Sequence, residues 1–199
     1  VTSWQLLDPY LDSLCVVIPP DVCVEEAIYI DTVYLPPIPG GYQLAYQRCC
    51  RNGTIFNIVD PGETGITVYT TIPDTSVVDS NSSPGFDNFP PILICANMPL
   101  EFDHAATDVD GDSIVYELCT PYAGGSITNV LGNNPVELPP FNPVNWNAPY
   151  DHTDPLGGIP LSIDSLGALT GSPNMLGQFV VGVCALEYRD GQLLSINRR

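Results

Sequence analysis

The chain has 199 residues, of which 23 are acidic and five are basic, so its formal net charge is −18. An acidic chain repels nucleic-acid phosphates and anionic lipids, and five arginines without any lysine cannot form a phosphate-binding surface. We therefore predict no nucleic-acid partner. Hydrophobic residues make up 44% of the chain and charged residues only 14%, a balance that indicates a folded core rather than disorder.

Short runs rich in β-branched and aromatic residues recur along the chain and alternate between apolar and polar positions, which predicts strands. The runs are residues 23–35, 41–48, 66–72, 113–119 and 177–188, and a short strand is also expected at 92–95. Turn sequences separate them, and 21 prolines with 17 glycines leave little room for long helices. Residues 123–155, rich in Gly, Asn and Pro, indicate a long ordered loop.

This pattern predicts an all-β fold with two consecutive β-sandwich domains, residues 1–90 and 91–199. The boundary is expected in the Ser-, Asn- and Pro-rich stretch 79–91. No run of 18 apolar residues is present, so no membrane insertion is predicted, and we expect any export signal to have been removed upstream of Val1.

Seven cysteines without CxxC spacing favour disulfides in an oxidising compartment over metal or redox chemistry. The sequence therefore predicts an extracellular or periplasmic protein. The preferred bridges are Cys15–Cys23, across two strand-like arms, and Cys119–Cys184, between two β-rich runs of the second half.

Cys49 and Cys50 are neighbours, and strand alternation would send them to opposite faces, so only one is expected to reach a given partner. Cys50–Cys95 is the predicted pair. The odd count leaves one cysteine, either as a buried thiol or bonded to a part of the polypeptide outside this sequence.

Asp108, Asp110 and Asp112 alternate around Gly111 in a turn before a strand. Three carboxylates converging on one centre suit Ca²⁺, which takes six to eight oxygen ligands. We predict a calcium site formed by these three residues and Asp103; the alternative is a solvated acidic turn. The spacing is not that of an EF-hand. Sequence alone does not choose among the further candidate ligands Asn97, Glu101, Glu187 and Asp190.

Evidence for catalysis is thin, because His104 and His152 are the only histidines and no known nucleophile or metalloprotease motif is present. We predict that the chain is not an enzyme. A glycoside hydrolase, which needs only two carboxylates, is the weaker alternative. A carbohydrate-binding module is the stronger alternative, since Trp4, Trp146 and ten tyrosines offer stacking faces, although Trp146 also fits a role as a plug at a sandwich end.

Residues 106–116 and 160–183 together resemble a cadherin-like or Ig-like repeat of bacterial surface proteins, in which an Asp-rich turn and a "Leu-Thr-Gly-x-Pro" segment precede a "Gly-x-Phe-x-Val" strand. Residues 40–58, with 81–83 and 89–91, resemble the N-terminal region of large Bacteroidota exoproteins. Those proteins are related to gliding-motility adhesins and are exported by the type IX secretion system.

The resemblance implies a secreted or cell-surface protein built from Ig-like or cadherin-like sandwiches, with a structural or adhesive function. Such proteins carry strands before the equivalent of Val1 and after Arg199. The chain is therefore expected to be a fragment, or a filament subunit whose incomplete sheets are completed by a neighbouring strand. The implied partners are further copies, neighbouring domains of the same exoprotein and surface glycans.

The resemblance also implies O-glycosylation, because Bacteroidota modify the pattern Asp-Ser/Thr-aliphatic. The matches are Ser13, Thr32 and Ser165, with Ser113 the weakest because it lies beside the predicted ion. The N-glycosylation sequons at Asn52 and Asn81 are interpreted as ordinary turns.

Overall fold

The computed structural model describes residues 3–7, 24–131 and 137–199, and this part of the chain is all-β, without helical residues. Within it, no helix is long and apolar enough to cross a membrane. The strands are β1 (Ser3–Leu7), β2 (Val24–Ile28), β3 (Tyr42–Arg48), β4 (Ile66–Ile72), β5 (Gly85–Phe86), β6 (Leu100–Asp103), β7 (Ala106–Thr107), β8 (Ser113–Leu118), β9 (Ile159–Ile163), β10 (Ala168–Ser172), β11 (Val183–Arg189) and β12 (Gln192–Arg198).

The strands pair antiparallel in small sheets. Two sheets have three strands, in the orders β6–β10–β9 and β12–β11–β8, and three have two strands, β1–β2, β3–β4 and β5–β7. The β3–β4 hairpin lies beside β12, where the Thr71 hydroxyl donates to the Leu194 carbonyl at 2.9 Å. β11 is the central strand of its sheet, and its first three residues are all buried.

The predicted runs 41–48, 66–72 and 113–119 correspond to β3, β4 and β8. In the run 23–35 the strand ends at Ile28, where its pairing with β1 ends. In the run 177–188 the strand starts only at Val183, directly after Gly182, whose carbonyl accepts a hydrogen bond from the Cys119 amide at 2.9 Å.

The strand expected at 92–95 is wrong, since β6 begins only at Leu100. Strands β9 and β10 were not predicted, and each contains a residue of low β-propensity, Pro160 and Gly171 respectively. The described residues of 123–155 contain isolated bridges but no named strand, as expected for a long loop.

One apolar core joins residues distant in sequence. Ile58, Val144 and Val180 are buried together, with Ile55, Ala123 and Trp146 packed against them. At the same place Asn57, which has no exposed surface, donates to the Pro155 and Val180 carbonyls and accepts from the Val180 amide, at 2.7–2.9 Å. Residues on both sides of the predicted boundary at 90–91 therefore share this core.

A second core lies under the sheet β6–β10–β9. Leu156, Leu161 and Leu169 are buried, and six partly buried apolar residues pack against them: Leu100, Phe102, Leu118, Ile163, Phe179 and Val181. All of these residues lie within the predicted second domain.

Two disulfides are described completely, one between distant elements and one between neighbouring residues. Cys119 and Cys184 are bonded, as the sequence predicts, and join the end of β8 to the start of β11 with Cα atoms 5.9 Å apart. Cys49 and Cys50 are bonded to each other, so the predicted Cys50–Cys95 pair is wrong. Both residues lie beyond the end of β3, where strand alternation no longer separates neighbouring side chains.

Cys95 is also disulfide-bonded. The predicted Cys15–Cys23 pair lies outside the described residues.

The shared core predicts energetic coupling between Ile58 and Val180. Each single substitution to Ala removes buried methyl groups and should lower the free energy of unfolding by about 1–4 kcal/mol. Because the two side chains belong to one cluster, the double variant should deviate from additivity by about 0.5 kcal/mol or more in urea denaturation. The exposed control Val109→Ala should change stability by less than about 0.5 kcal/mol. Strict additivity would contradict a shared core.

Candidate metal centre

The acidic turn lies between β7 and β8 and is organised by Asp108. One oxygen of this residue, Oδ1, accepts hydrogen bonds from the Asp110 and Asp112 amides at 2.9 and 3.0 Å. Gly111 adopts φ +82°, a conformation that glycine reaches without the steric cost of a side chain. The other oxygen, Asp108 Oδ2, is buried and has no hydrogen-bond partner.

Glu187 reaches the same place from the middle strand of the neighbouring sheet. In β11 it pairs with Ile114 of β8 and Ser195 of β12, and the register shifts directly after it. Its side chain has no exposed surface. Oε2 accepts hydrogen bonds from the Ser195 hydroxyl and from Asn81 Nδ2, whereas Oε1 is buried without a partner.

Together Asp108, Asp112 and Glu187 form an acidic cluster in which one oxygen of each carboxylate lies within 4.8 Å of the others. It is the only group of three metal-ligating side chains found among the described residues. An ionised carboxylate is costly to bury without a partner, so such a cluster is stabilised by a cation, by a basic side chain or by protonation of one of its members. All three side chains offer carboxylate oxygens, the ligand type that hard cations such as Ca²⁺ take.

Two of the predicted ligands lie elsewhere. Asp110 is at the tip of the turn, where Oδ2 accepts from the Ser82 amide at 2.7 Å. Asp103, at the end of β6, is exposed and accepts from the Ala105 amide and, more weakly, from Asn88. The structure thus brings Asp108 and Asp112 together with Glu187, and not with Asp110 or Asp103.

Arg189, two residues beyond Glu187, neutralises part of this charge. Its Nε and Nη2 donate to the two oxygens of Asp112 at 2.7 and 2.6 Å, and Nη2 lies 3.6 Å from Asp110 Oδ2. The same guanidinium donates to the Ser80 carbonyl and to Asn81 Oδ1, at 3.1 and 3.2 Å. One arginine therefore connects the acidic turn to the segment that precedes β5.

The surroundings shift the pKa values of Asp112 and Glu187 in opposite directions. The hydrogen bonds from Arg189 lower the pKa of Asp112, and the same contact raises the pKa of Arg189. Burial raises the pKa of Glu187, and this outweighs the hydrogen bonds from Ser195 and Asn81 that favour the charged form; Asp112 and Asp108 add to the rise. Glu187 is thus the member of the cluster whose charged form is disfavoured by its surroundings.

Other candidate residues are placed as follows. Trp146 packs against the first core, and its indole nitrogen is 3.5 Å from the Thr120 hydroxyl. His104 is buried between the ring edges of Phe86 and Phe102, and burial lowers its pKa, whereas His152 is exposed. The predicted glycosylation residues Thr32 and Ser165 are exposed, and Ser13 lies outside the described residues.

A scan against protein-family models, a search of curated proteins and a search of solved structures each found no match to this chain.

The raised pKa of Glu187 predicts a pH dependence of stability when cations are removed by a chelator. The unfolded state loses this proton at the ordinary glutamate pKa and the folded state only at higher pH. Wild type should therefore lose stability as the pH rises between the two pKa values, and the loss should then remain constant. Glu187→Gln lacks the ionisation, so its stability relative to wild type should increase across this window.

Urea denaturation at a series of pH values in chelator measures this difference. The control is Glu117→Gln, an exposed glutamate on β8, for which the difference from wild type should stay flat. A pH-independent difference for Glu187→Gln would contradict the interpretation.

Proposed function

We propose that the chain is a structural or adhesive segment of a secreted bacterial surface protein, and that Ca²⁺ at Asp108, Asp112 and Glu187 stabilises its sheets. The observation that carries the proposal is the pair of buried, unpartnered oxygens, Glu187 Oε1 and Asp108 Oδ2, in one cluster of three carboxylates. Buried polar atoms without a partner are uncommon and call for an explanation such as an ion.

Calcium fits these ligands better than a transition metal does, because all three side chains supply hard carboxylate oxygens. Water and nearby carbonyl groups would complete the six to eight ligands that Ca²⁺ takes. An ion here would connect the turn before β8 to the middle strand β11. Its role in this proposal is mechanical, since it fixes strand positions and takes part in no reaction.

The Cys119–Cys184 disulfide supports the extracellular location, because such bonds persist in oxidising compartments. The division into two Ig-like or cadherin-like sandwiches, residues 1–90 and 91–199, is part of the proposal. The second core, formed within residues 91–199, supports it, and the first core then forms the contact between the two units. Of the two tryptophans that suggest a carbohydrate-binding role, Trp146 packs against the first core, which favours the structural role for that ring, whereas Trp4 is 57% exposed.

Self-association is the partner interaction that we propose. β3 pairs with β4, and no other described strand pairs with it. Leu44 and Tyr46, which share one face of β3, are 61% and 56% exposed. An open apolar edge is a template for an additional strand, so β3 provides a place where another copy or a neighbouring domain can extend the sheet.

The calcium proposal predicts a thermal shift. At a calcium concentration about 100-fold above Kd, binding should stabilise the wild type by about 2.7 kcal/mol, or roughly 5–10 °C in Tm. The double variant Asp108→Asn with Glu187→Gln should show no shift between calcium and chelator.

Asp103→Asn is the control that separates the two ligand sets. This residue was predicted as a ligand but lies outside the cluster, so its variant should keep the full shift. An unchanged wild-type Tm, or loss of the shift in Asp103→Asn, would contradict the site described here.

Self-association predicts a different measurement. Leu44→Lys places a charge on the open edge and should weaken concentration-dependent association in sedimentation velocity by about tenfold or more. Ile127→Lys, at a loop residue of similar exposure, should associate like wild type. A wild type that stays monomeric at all concentrations would contradict the proposal, as would equal effects of the two substitutions.

A further inference from the structure

We propose that Arg189 is an internal counter-cation that competes with the divalent ion for Asp112 and thereby sets the affinity of the acidic cluster. The inference rests on the calcium site of the proposed function and identifies what regulates it. In this role Arg189 does not bind the ion but opposes its binding.

The first step is the geometry of the ion pair. Arg189 forms two parallel hydrogen bonds to Asp112, one to each carboxylate oxygen, in the bidentate arrangement that is the strongest contact between these groups. The Asp112 side chain is only 5% exposed, so other partners reach its oxygens only from within the cluster. A metal ion that binds Asp112 must therefore share an oxygen with the guanidinium or displace it.

The second step is charge. The cluster and the adjacent Asp110 together carry four carboxylates, whereas Arg189 is the only cation that forms ion pairs among the described residues. The guanidinium lowers the negative potential that attracts a divalent ion, and it repels the ion directly at short range. Both effects oppose binding. The proposed site is thus weaker than its carboxylates alone would make it.

The third step concerns the segment before β5. Asn81 accepts a hydrogen bond from Arg189 through Oδ1 and donates to Glu187 through Nδ2, so it connects the counter-cation to the buried ligand. Arg189 also holds the Ser80 carbonyl. Before an ion binds, these contacts hold Arg189 beside Asp112, where its charge partly neutralises the cluster.

Two roles for Arg189 predict opposite results. If it competes with the ion, its removal tightens calcium binding. If it only supports the fold of the turn, its removal loosens the ligands and weakens binding. The sign of the change in Kd therefore decides between them.

The experiment is isothermal titration calorimetry of Ca²⁺ into the full chain at fixed ionic strength, with wild type, Arg189→Gln and Arg48→Gln. Arg48 is exposed at the end of β3, and its substitution makes the same change in net charge. We expect Arg189→Gln to lower Kd by about tenfold or more, since a unit charge close to the ion is removed. Arg48→Gln should change Kd less than about twofold, because solvent screens a distant exposed charge.

Arg189→Lys keeps the positive charge but removes the guanidinium that forms two hydrogen bonds to Asp112. This variant replaces Arg189→Gln in the titration if the Gln variant does not fold. It should tighten binding by a smaller factor than the Gln variant. Wild-type binding together with an unchanged or raised Kd in the Arg189 variants would overturn the counter-cation while leaving the calcium site intact. No binding heat in any variant, with folded proteins shown by circular dichroism, would overturn the calcium site and this inference with it.

Discussion

A carboxylate without solvent contact, in the middle strand of a three-stranded sheet, is the constraint around which this part of the molecule is arranged. Glu187 requires hydrogen-bond donors, a cation or a proton at its oxygens, because burying an unpaired ionised group is costly. β12 supplies the Ser195 hydroxyl, and the segment before β5 supplies Asn81. The acidic turn completes the environment, and its carboxylates Asp112 and Asp108 add to the rise in the pKa of Glu187.

Strands β8 and β11, which flank the acidic turn and carry Glu187 respectively, are connected to each other at both ends. β8 starts at the acidic turn, and the residue after its last position, Cys119, is bonded to Cys184 near the start of β11. The disulfide closes a loop with a sequence separation of 65, which stabilises the fold by about 4 kcal/mol in the chain-entropy model. Because β8 and β11 run antiparallel, the disulfide lies at one end of the pair and the Arg189–Asp112 contact at the other. Such a pair resists being pulled or peeled apart, which suits a structural segment.

The sequence pattern predicted those features that depend only on residues close together in the chain. Alternating aromatic and β-branched residues identified β3, β4 and β8, and the Asp-Gly turn identified two of the three clustered carboxylates. Glu187 lies 75 residues after Asp112, so only the pairing of β11 with β8 brings it to the turn, and no spacing rule ranks it above Asp103. The Cys49–Cys50 bond was missed because strand alternation was applied to two residues that lie beyond the end of β3 at Arg48.

The absence of lysine has a structural counterpart in how the arginines are used. Arg51 donates to the Gly65 and Tyr122 carbonyls, Arg198 to the Thr120 carbonyl and Arg199 to the Asn88 carbonyl. Arg189 combines a carbonyl with two carboxylate oxygens. Four of the five cations thus hold separated parts of the backbone through a rigid planar fork, a task for which an ammonium group is poorly suited. Only Arg189 among these four contacts carboxylates in the described chain, so most of the acidic surface stays unneutralised and the one neutralising arginine lies at the cluster around Glu187.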